Sequence, residues 1–231
     1  MNSERTRIKI CGLTRVQDVD AAVDLGADAL GFVFYPQSPR CLTLEAAAEL
    51  VRRVPPFVTA TGLFVNAGRD AVEAVLDRVP LTLLQFHGDE SGEDCAGYRV
   101  PFVKAARIRP GFDVLEFARR YRHAQGLLLD AFVAGYGGEG KTFDWSLIPP
   151  ELEEKIELRV ILGGGLNAAN VADAIGRVRP FAVDVSSGVE QSKGVKDIGL
   201  MRGFVEAVTL ADNRAGNRAE NRSSSEFFLR R

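Results

Sequence analysis

Long apolar runs are missing from this 231-residue sequence, and none reaches the roughly 18 residues that a membrane-spanning helix needs. The opening residues, MNSERTRIKICG, hold no apolar core of the kind a secretory signal requires, so none is expected. Cysteine is scarce: Cys11, Cys41 and Cys95 are odd in number, widely spaced and free of any CxxC pair. That pattern excludes a disulfide framework or a zinc ribbon and points to a reducing cytoplasm. The two histidines, His87 and His123, are too scattered for a metal cluster, so neither metal nor other cofactor is expected. An excess of positive charge is absent as well. With 29 Lys and Arg against 31 Asp and Glu there is no broad basic field, and nucleic acid is excluded as a partner.

What is present is a repeating unit. RIKICG (7–12) is rich in β-branched residues and stops at a glycine. TRVQDVDAAVDLG follows, with Thr14 placed to cap a helix, Gln17 to close a capping box and Gly26 to end it. The alternation continues with strand-like runs at 27–34, 58–65, 81–88, 101–108, 126–131, 159–166 and 181–188, each followed by a helix-like run. Several of these strands are continuously apolar, as in a parallel sheet covered by helices on its outer side. Eight such units in about 200 residues match a single α/β domain, a (βα)8 TIM barrel near its minimum size. A doubly wound open sheet, the alternative, generally has fewer strands. Residues 1–211 are therefore read as one barrel, and 212–231 as a polar C-terminal tail. Within it Asn-Arg pairs recur every four residues, a step that would also suit one helix face.

In a barrel of this kind the chemistry sits at the C-terminal ends of the strands. Those ends carry Cys11, Asn66, His87, Asp130, Gly163–Gly165, Asp184 and Ser186–Ser187. Cys11 shares a strand face with Lys9, because side chains alternate. An ordinary thiol needs about 2 kcal/mol to ionise at neutral pH. A Lys charge ~7 Å away, at an effective dielectric of ~20, would supply about that much. Lys9 can equally pair with an acid at the barrel floor. Asp130 reads either as a turn carboxylate or as an acid at the barrel mouth. Gly164, Gly165, Ser186 and Ser187 lie in the loops after strands seven and eight, where backbone N–H groups hold phosphate in this fold. Arg40 lies in a loop stiffened by Pro36 and Pro39, suited to presenting a guanidinium to a carboxylate.

One motif points elsewhere. GYGGEGKT (135–142) fits the phosphate-cradling pattern G-x-x-x-x-G-K-[ST] at every position. A nucleotide-binding loop needs its Lys-Thr to open a substantial helix. Pro149 and Pro150 follow too soon for that, since an interior proline costs about 3 kcal/mol. What remains is a glycine-rich loop able to fold over a ligand at the barrel mouth, with Gly137, Gly138, Gly140 and Lys141 as its working residues.

The segments KICGLTR, LGFVFYPQSPR, LFVN, LQFHGDE, LLLDA, GKTFDW, GGLNAANV and FAVDVSSGVE, taken in order, resemble the phosphoribosylanthranilate isomerase family of tryptophan biosynthesis. The likeness spans about residues 8 to 197. It implies an Amadori rearrangement of a small phosphosugar substrate, without cofactor, in the cytoplasm, by a monomer or homodimer. By this resemblance Asp130 protonates the furanose ring oxygen and Cys11 removes the C2 proton. Arg40 would hold the anthranilate carboxylate, with His87 and Asp184 among the substrate-binding residues, and the two late loops would hold the phosphate. The resemblance also makes the glycine-rich stretch the mobile sixth loop. Glu139 departs from the Thr or Ser usual there, and a carboxylate facing an anionic substrate is expected to raise KM modestly. Two rival readings are another phosphosugar isomerase or epimerase barrel and a barrel kept only as a binding scaffold. The first would call for paired carboxylates or a metal, and the second for loss of Cys11 or Asp130.

Overall fold

The alternation of β-branched strands with amphipathic helices resolves into a closed barrel in the computed structural model, which describes residues 5–132 and 142–228, with side chains as far as Arg214. The strands are β1 (Arg7–Cys11), β2 (Ala29–Val33), β3 (Thr59–Phe64), β4 (Leu83–Phe86), β5 (Phe102–Ile108), β6 (Gly126–Ala131), β7 (Arg159–Leu162) and β8 (Ala182–Val185). They run parallel in sequence order, and β8 closes on β1 through Lys9 opposite Asp184. The helices are α1 (Val16–Asp24), α2 (Leu44–Val51), α3 (Arg69–Arg78), α4 (Gly92–Cys95), α5 (Val114–Arg120), α6 (Leu152–Ile156), α7 (Val171–Val178) and α8 (Ile198–Phe228). None is long and apolar enough to cross a membrane.

Period-two alternation sorts each strand into two faces. Ile8, Ile10, Leu30, Phe32, Phe64, Phe86, Leu127, Leu129, Leu162 and Val183 are buried outward, against the helices. Phe34 stacks on Phe64 at 5.2 Å, and Phe86 meets Phe102 edge-on at 5.9 Å. The inward positions take Lys9, Cys11, Gln85, His87, Asp130 and Asp184, so the polar residues share the barrel lumen. Several caps follow the sequence: Thr43 accepts from Ala46 N at 3.2 Å, and Ser91 and Asp94 form a reciprocal box. At the base, Thr6 donates through N and Oγ1 to the Asp212 carboxylate at 2.8 and 2.7 Å, which bolts α8 to the start of β1.

The structure departs from the expected alternation locally and adds to it. Thr14 does not cap α1: its hydroxyl donates to the Gly194 carbonyl, and the N-cap is Arg15, with no side-chain capping bond. The helix-like run expected after the sixth strand is split. Residues 145–147 make a single 3-10 turn, and α6 opens only after Pro149 and Pro150. The segment after β8 carries a hairpin that the alternation does not announce, β9 (Glu190–Ser192) with β10 (Val195–Lys196), turned by Gly194 at φ 79°. Of the expected tail 212–231, α8 takes in the backbone to Phe228, and side chains from 215 onward lie outside the described residues.

Candidate active site

Cys11 ends β1, buried, with its Sγ packed over Gly31, where an added Cβ would come within 2.6 Å. Two residues earlier on the same face, Lys9 Nζ donates to Asp184 Oδ1 at 2.9 Å. Burial works against the Lys9 ammonium, but Asp184 and the Cys11 sulfur more than offset it and hold Lys9 above its ordinary value. Burial pushes the Cys11 thiol up; Lys9 and Lys196 pull it down without cancelling that rise, and Asp184 adds to it. Lys9 thus acts in the expected direction and is outweighed, because its charge is already paired with Asp184.

Arg40 arrives from the loop after β2 and crosses directly over Gly12. A Cβ on Gly12, which sits at φ 78°, would lie 3.2 Å from Arg40 Nε and 3.1 Å from Ser186 Oγ. Arg40 donates from Nε and Nη2 to Glu190 Oε1 and Oε2, at 2.8 and 2.6 Å. Lys196 Nζ donates to the same Glu190 Oε1 at 2.8 Å and to the Ser186 carbonyl at 3.0 Å. All three side chains are buried, with Lys196 at 0% exposure. Burial alone would raise the Glu190 carboxyl, but Arg40 and Lys196 hold it below its ordinary value. Around Cys11, three basic side chains (Lys9, Arg40, Lys196) thus face two carboxylates (Asp184, Glu190), and burial holds the Lys196 ammonium below its ordinary value although Glu190 favours it.

The β9–β10 hairpin that supplies Glu190 and Lys196 is anchored to the β1 side. Arg15 donates to the Lys196 carbonyl at 2.9 Å, and Lys196 N donates to the fully buried Asp18 at 3.1 Å. This explains why Thr14 is engaged by Gly194 rather than by the helix.

Asp130 ends β6. Its Oδ1 accepts from Ala131 N at 2.8 Å, and its Oδ2 lies 3.0 Å from His87 Nε2. Gln85 Nε2 lies 3.0 Å from the other ring nitrogen, Nδ1. β4 and β6 flank β5, so this contact passes over one strand on the inner face of the barrel. Below His87, the loops after β3 and β4 are fixed by buried Glu90, which accepts from Asn66 N at 2.7 Å, Gly88 N at 2.9 Å and Lys104 Nζ at 3.2 Å.

Gly164 and Gly165 both adopt positive φ, 80° and 64°. A Cβ on Gly164 would crowd Asp130 Oδ1 at 2.9 Å, so this turn lies against the carboxylate. Asn170 Nδ2 holds the Gly165 carbonyl at 3.0 Å. The loops after β7 and β8 dock at Gly188, whose missing side chain makes room for the Leu166 carbonyl. Gly164, Gly165, Ser186 and Ser187 are thereby brought onto neighbouring turns. Thr142–Asp144 form no helix, which removes the helical half of a nucleotide-binding loop. Gly137, Gly138, Glu139, Gly140 and Lys141 lie outside the described residues.

Sequence reasoning missed Gln85, Glu190 and Lys196. Gln85 and Glu190 stood in the quoted segments LQFHGDE and FAVDVSSGVE. A charged residue two positions beyond the strand-like run 181–188 was the available signal for Glu190, but the hairpin bringing Lys196 back to it had none.

The chain matches a family model for N-(5'-phosphoribosyl)anthranilate isomerase over residues 8–207. A curated relative from Leptothrix cholodnii, described as N-(5'-phosphoribosyl)anthranilate isomerase, is 59% identical over 215 residues, covering 93% of this chain and 96% of its own. The crystal structure of phosphoribosyl anthranilate isomerase from Thermotoga maritima superposes with a TM-score of 0.81 at 42% identity, covering 88% of this chain and 98% of its own. A further isomerase structure, in complex with reduced 1-(o-carboxyphenylamino)-1-deoxyribulose 5-phosphate, superposes with a TM-score of 0.78 at 40% identity, covering 88% of this chain and 98% of its own.

Proposed function

This chain belongs to the N-(5'-phosphoribosyl)anthranilate isomerase family, and on that premise we propose how its residues divide the reaction. The activity is the Amadori rearrangement of N-(5-phosphoribosyl)anthranilate to 1-(2-carboxyphenylamino)-1-deoxyribulose 5-phosphate in tryptophan biosynthesis. Asp130 gives its proton to the furanose ring oxygen as the bond from that oxygen to C1 breaks, and the anthranilate nitrogen lone pair forms C1=N. Cys11, as thiolate, then takes the C2 proton, and the released pair forms the enolamine that tautomerises to the ketose. Arg40 receives the anthranilate carboxylate. The turns at Gly164–Gly165 and Ser186–Ser187 receive the phosphate through backbone N–H groups.

The observation that carries this reading is that the sulfur and the carboxyl group occupy inward strand-end positions on β1 and β6 of one closed barrel. The basic side chains beside Cys11 favour both the binding of an anion and the transient thiolate. Ionising the buried thiol is the costly step, and the cationic open-chain intermediate formed by the acid step makes it easier. His87 supports the acid rather than the sugar, and Asp184 acts through Lys9. The catalytic unit is assigned to residues 1–211, and three free cysteines suit a cytoplasmic enzyme.

The test follows loss of phosphoribosylanthranilate fluorescence with purified protein. Cys11→Ala and Asp130→Asn should each lower kcat by at least about 100-fold, the lower end of general acid–base contributions. Either variant turning over at the wild-type rate would remove the assigned roles.

A further inference from the structure

The Gln85–His87–Asp130 chain has two self-consistent hydrogen-bonding states, and only one serves an acid. A neutral imidazole donates from one nitrogen and accepts at the other. If Nε2 carries the hydrogen, His87 donates to Asp130 Oδ2 and must accept at Nδ1. The facing group must then be a donor, and Gln85 does present its Nε2 there, at 3.0 Å. If instead Nδ1 carries the hydrogen, it needs an acceptor, and the bare Nε2 draws the Asp130 proton toward the histidine, away from the sugar. An amide turned end for end would permit that second state.

We propose that Gln85 is a positioning residue that holds His87 as the Nε2–H tautomer, so that His87 and the Ala131 amide both donate to Asp130 while its own proton stays available to the substrate. This rests on reading Asp130 as the acid. The geometry favours it on three grounds. Gln85 is fully buried, so water does not compete for Nδ1. Its Oε1 has no hydrogen-bond partner among the described residues, so His87 is the group to which its amide is matched. Asp130 passes from neutral to charged as it gives up its proton, and two fixed N–H donors aimed at its oxygens stabilise the charged form more than the neutral one. Gln85 thus decides which way the catalytic proton faces.

With two histidines in the chain, the test is spectroscopic as well as kinetic. Long-range 1H–15N correlation spectra of the 15N-histidine-labelled free enzyme report which ring nitrogen is protonated, and a His123→Asn variant assigns the signals. The expected result is His87 with Nε2–H and a bare Nδ1. A wild-type His87 protonated on Nδ1 overturns the proposal. Gln85→Leu should lower kcat about tenfold, the lower end of what losing an outer-shell partner of a functional histidine costs, with KM within about twofold. A Gln85→Leu enzyme with wild-type kcat also overturns it. Failure of Asp130 as the acid shows separately, as turnover retained in Asp130→Asn, and leaves the tautomer measurement standing.

Discussion

Replacing Glu190 by glutamine removes one charge from the buried cluster and changes little else in shape. Glu190 lies between Arg40 and Lys196, with side-chain exposures of 4%, 7% and 0%. At such burial the range for exposed pairs, about 0–1 kcal/mol, does not apply. Removing one partner of a buried pair costs about 3–5 kcal/mol, because the remaining charge stays desolvated and uncompensated. Here two cations are left facing each other, so the upper part of that range is expected. For a chain of this size each kcal/mol lowers Tm by about 2–4 °C, so a cost of about 4–5 kcal/mol gives a fall of roughly 8–20 °C. The pH dependence supplies a second check. The folded-state pKa of Glu190 is lowered, so its contribution is full above the ordinary glutamate value of about 4.3 and is lost as pH falls through the folded value. The gap between wild type and Glu190→Gln should therefore be widest at neutral pH and should close in acid. Thermal unfolding followed by circular dichroism across pH measures both. A Tm change below about 2 °C at pH 7, corresponding to less than about 1 kcal/mol, would refute the reasoning. In kinetics the same variant frees the Arg40 guanidinium, so KM should rise more than kcat falls.

Other consequences follow from the same geometry. Lys104→Met strands Glu90 without its buried cation beneath the β3 and β4 loops, and should cost about 3–5 kcal/mol in denaturant unfolding; a cost under about 1 kcal/mol would show that the pair carries little. Gly12→Ala meets both a left-handed backbone and the Arg40 stem, so about 1–3 kcal/mol of strain and a raised KM are expected from urea melts and steady-state kinetics. Burial holds the Cys11 thiol above its ordinary value, so a rate that needs the thiolate should climb with pH through the ordinary thiol range and beyond. A flat profile from about pH 7 upward would contradict the thiolate step.

The barrel was legible because its signals are local and repeated. Each apolar run fixed a strand, each turn residue fixed an end, and eight repeats left little choice of closure. Cys11, Asp130 and the turns after β7 and β8 could be singled out for a related reason: this fold places its chemistry at strand ends, and those ends can be read off the chain. What stayed hidden depends on contacts between distant segments. Thr14 looks like a helix cap until the β9–β10 hairpin arrives from 180 residues away to take its hydroxyl. Lys9 could tune the thiol or pair with an acid, and only β8, closing the barrel, identifies that acid as Asp184. Arg40 looks ready for a carboxylate, and a carboxylate of the chain itself, Glu190, already holds one edge of it. In each case the chain tells what group the residue offers, and topology decides its partner.

The most direct measurement is a crystal structure of this protein with reduced 1-(o-carboxyphenylamino)-1-deoxyribulose 5-phosphate bound. Cys11 Sγ should face the sugar C2, and an Asp130 carboxyl oxygen should lie within about 3.2 Å of the oxygen it protonates, both from one cavity. A ligand seated with either group turned away from those atoms, or with the phosphate outside the turns at Gly164 and Ser186, would contradict the account.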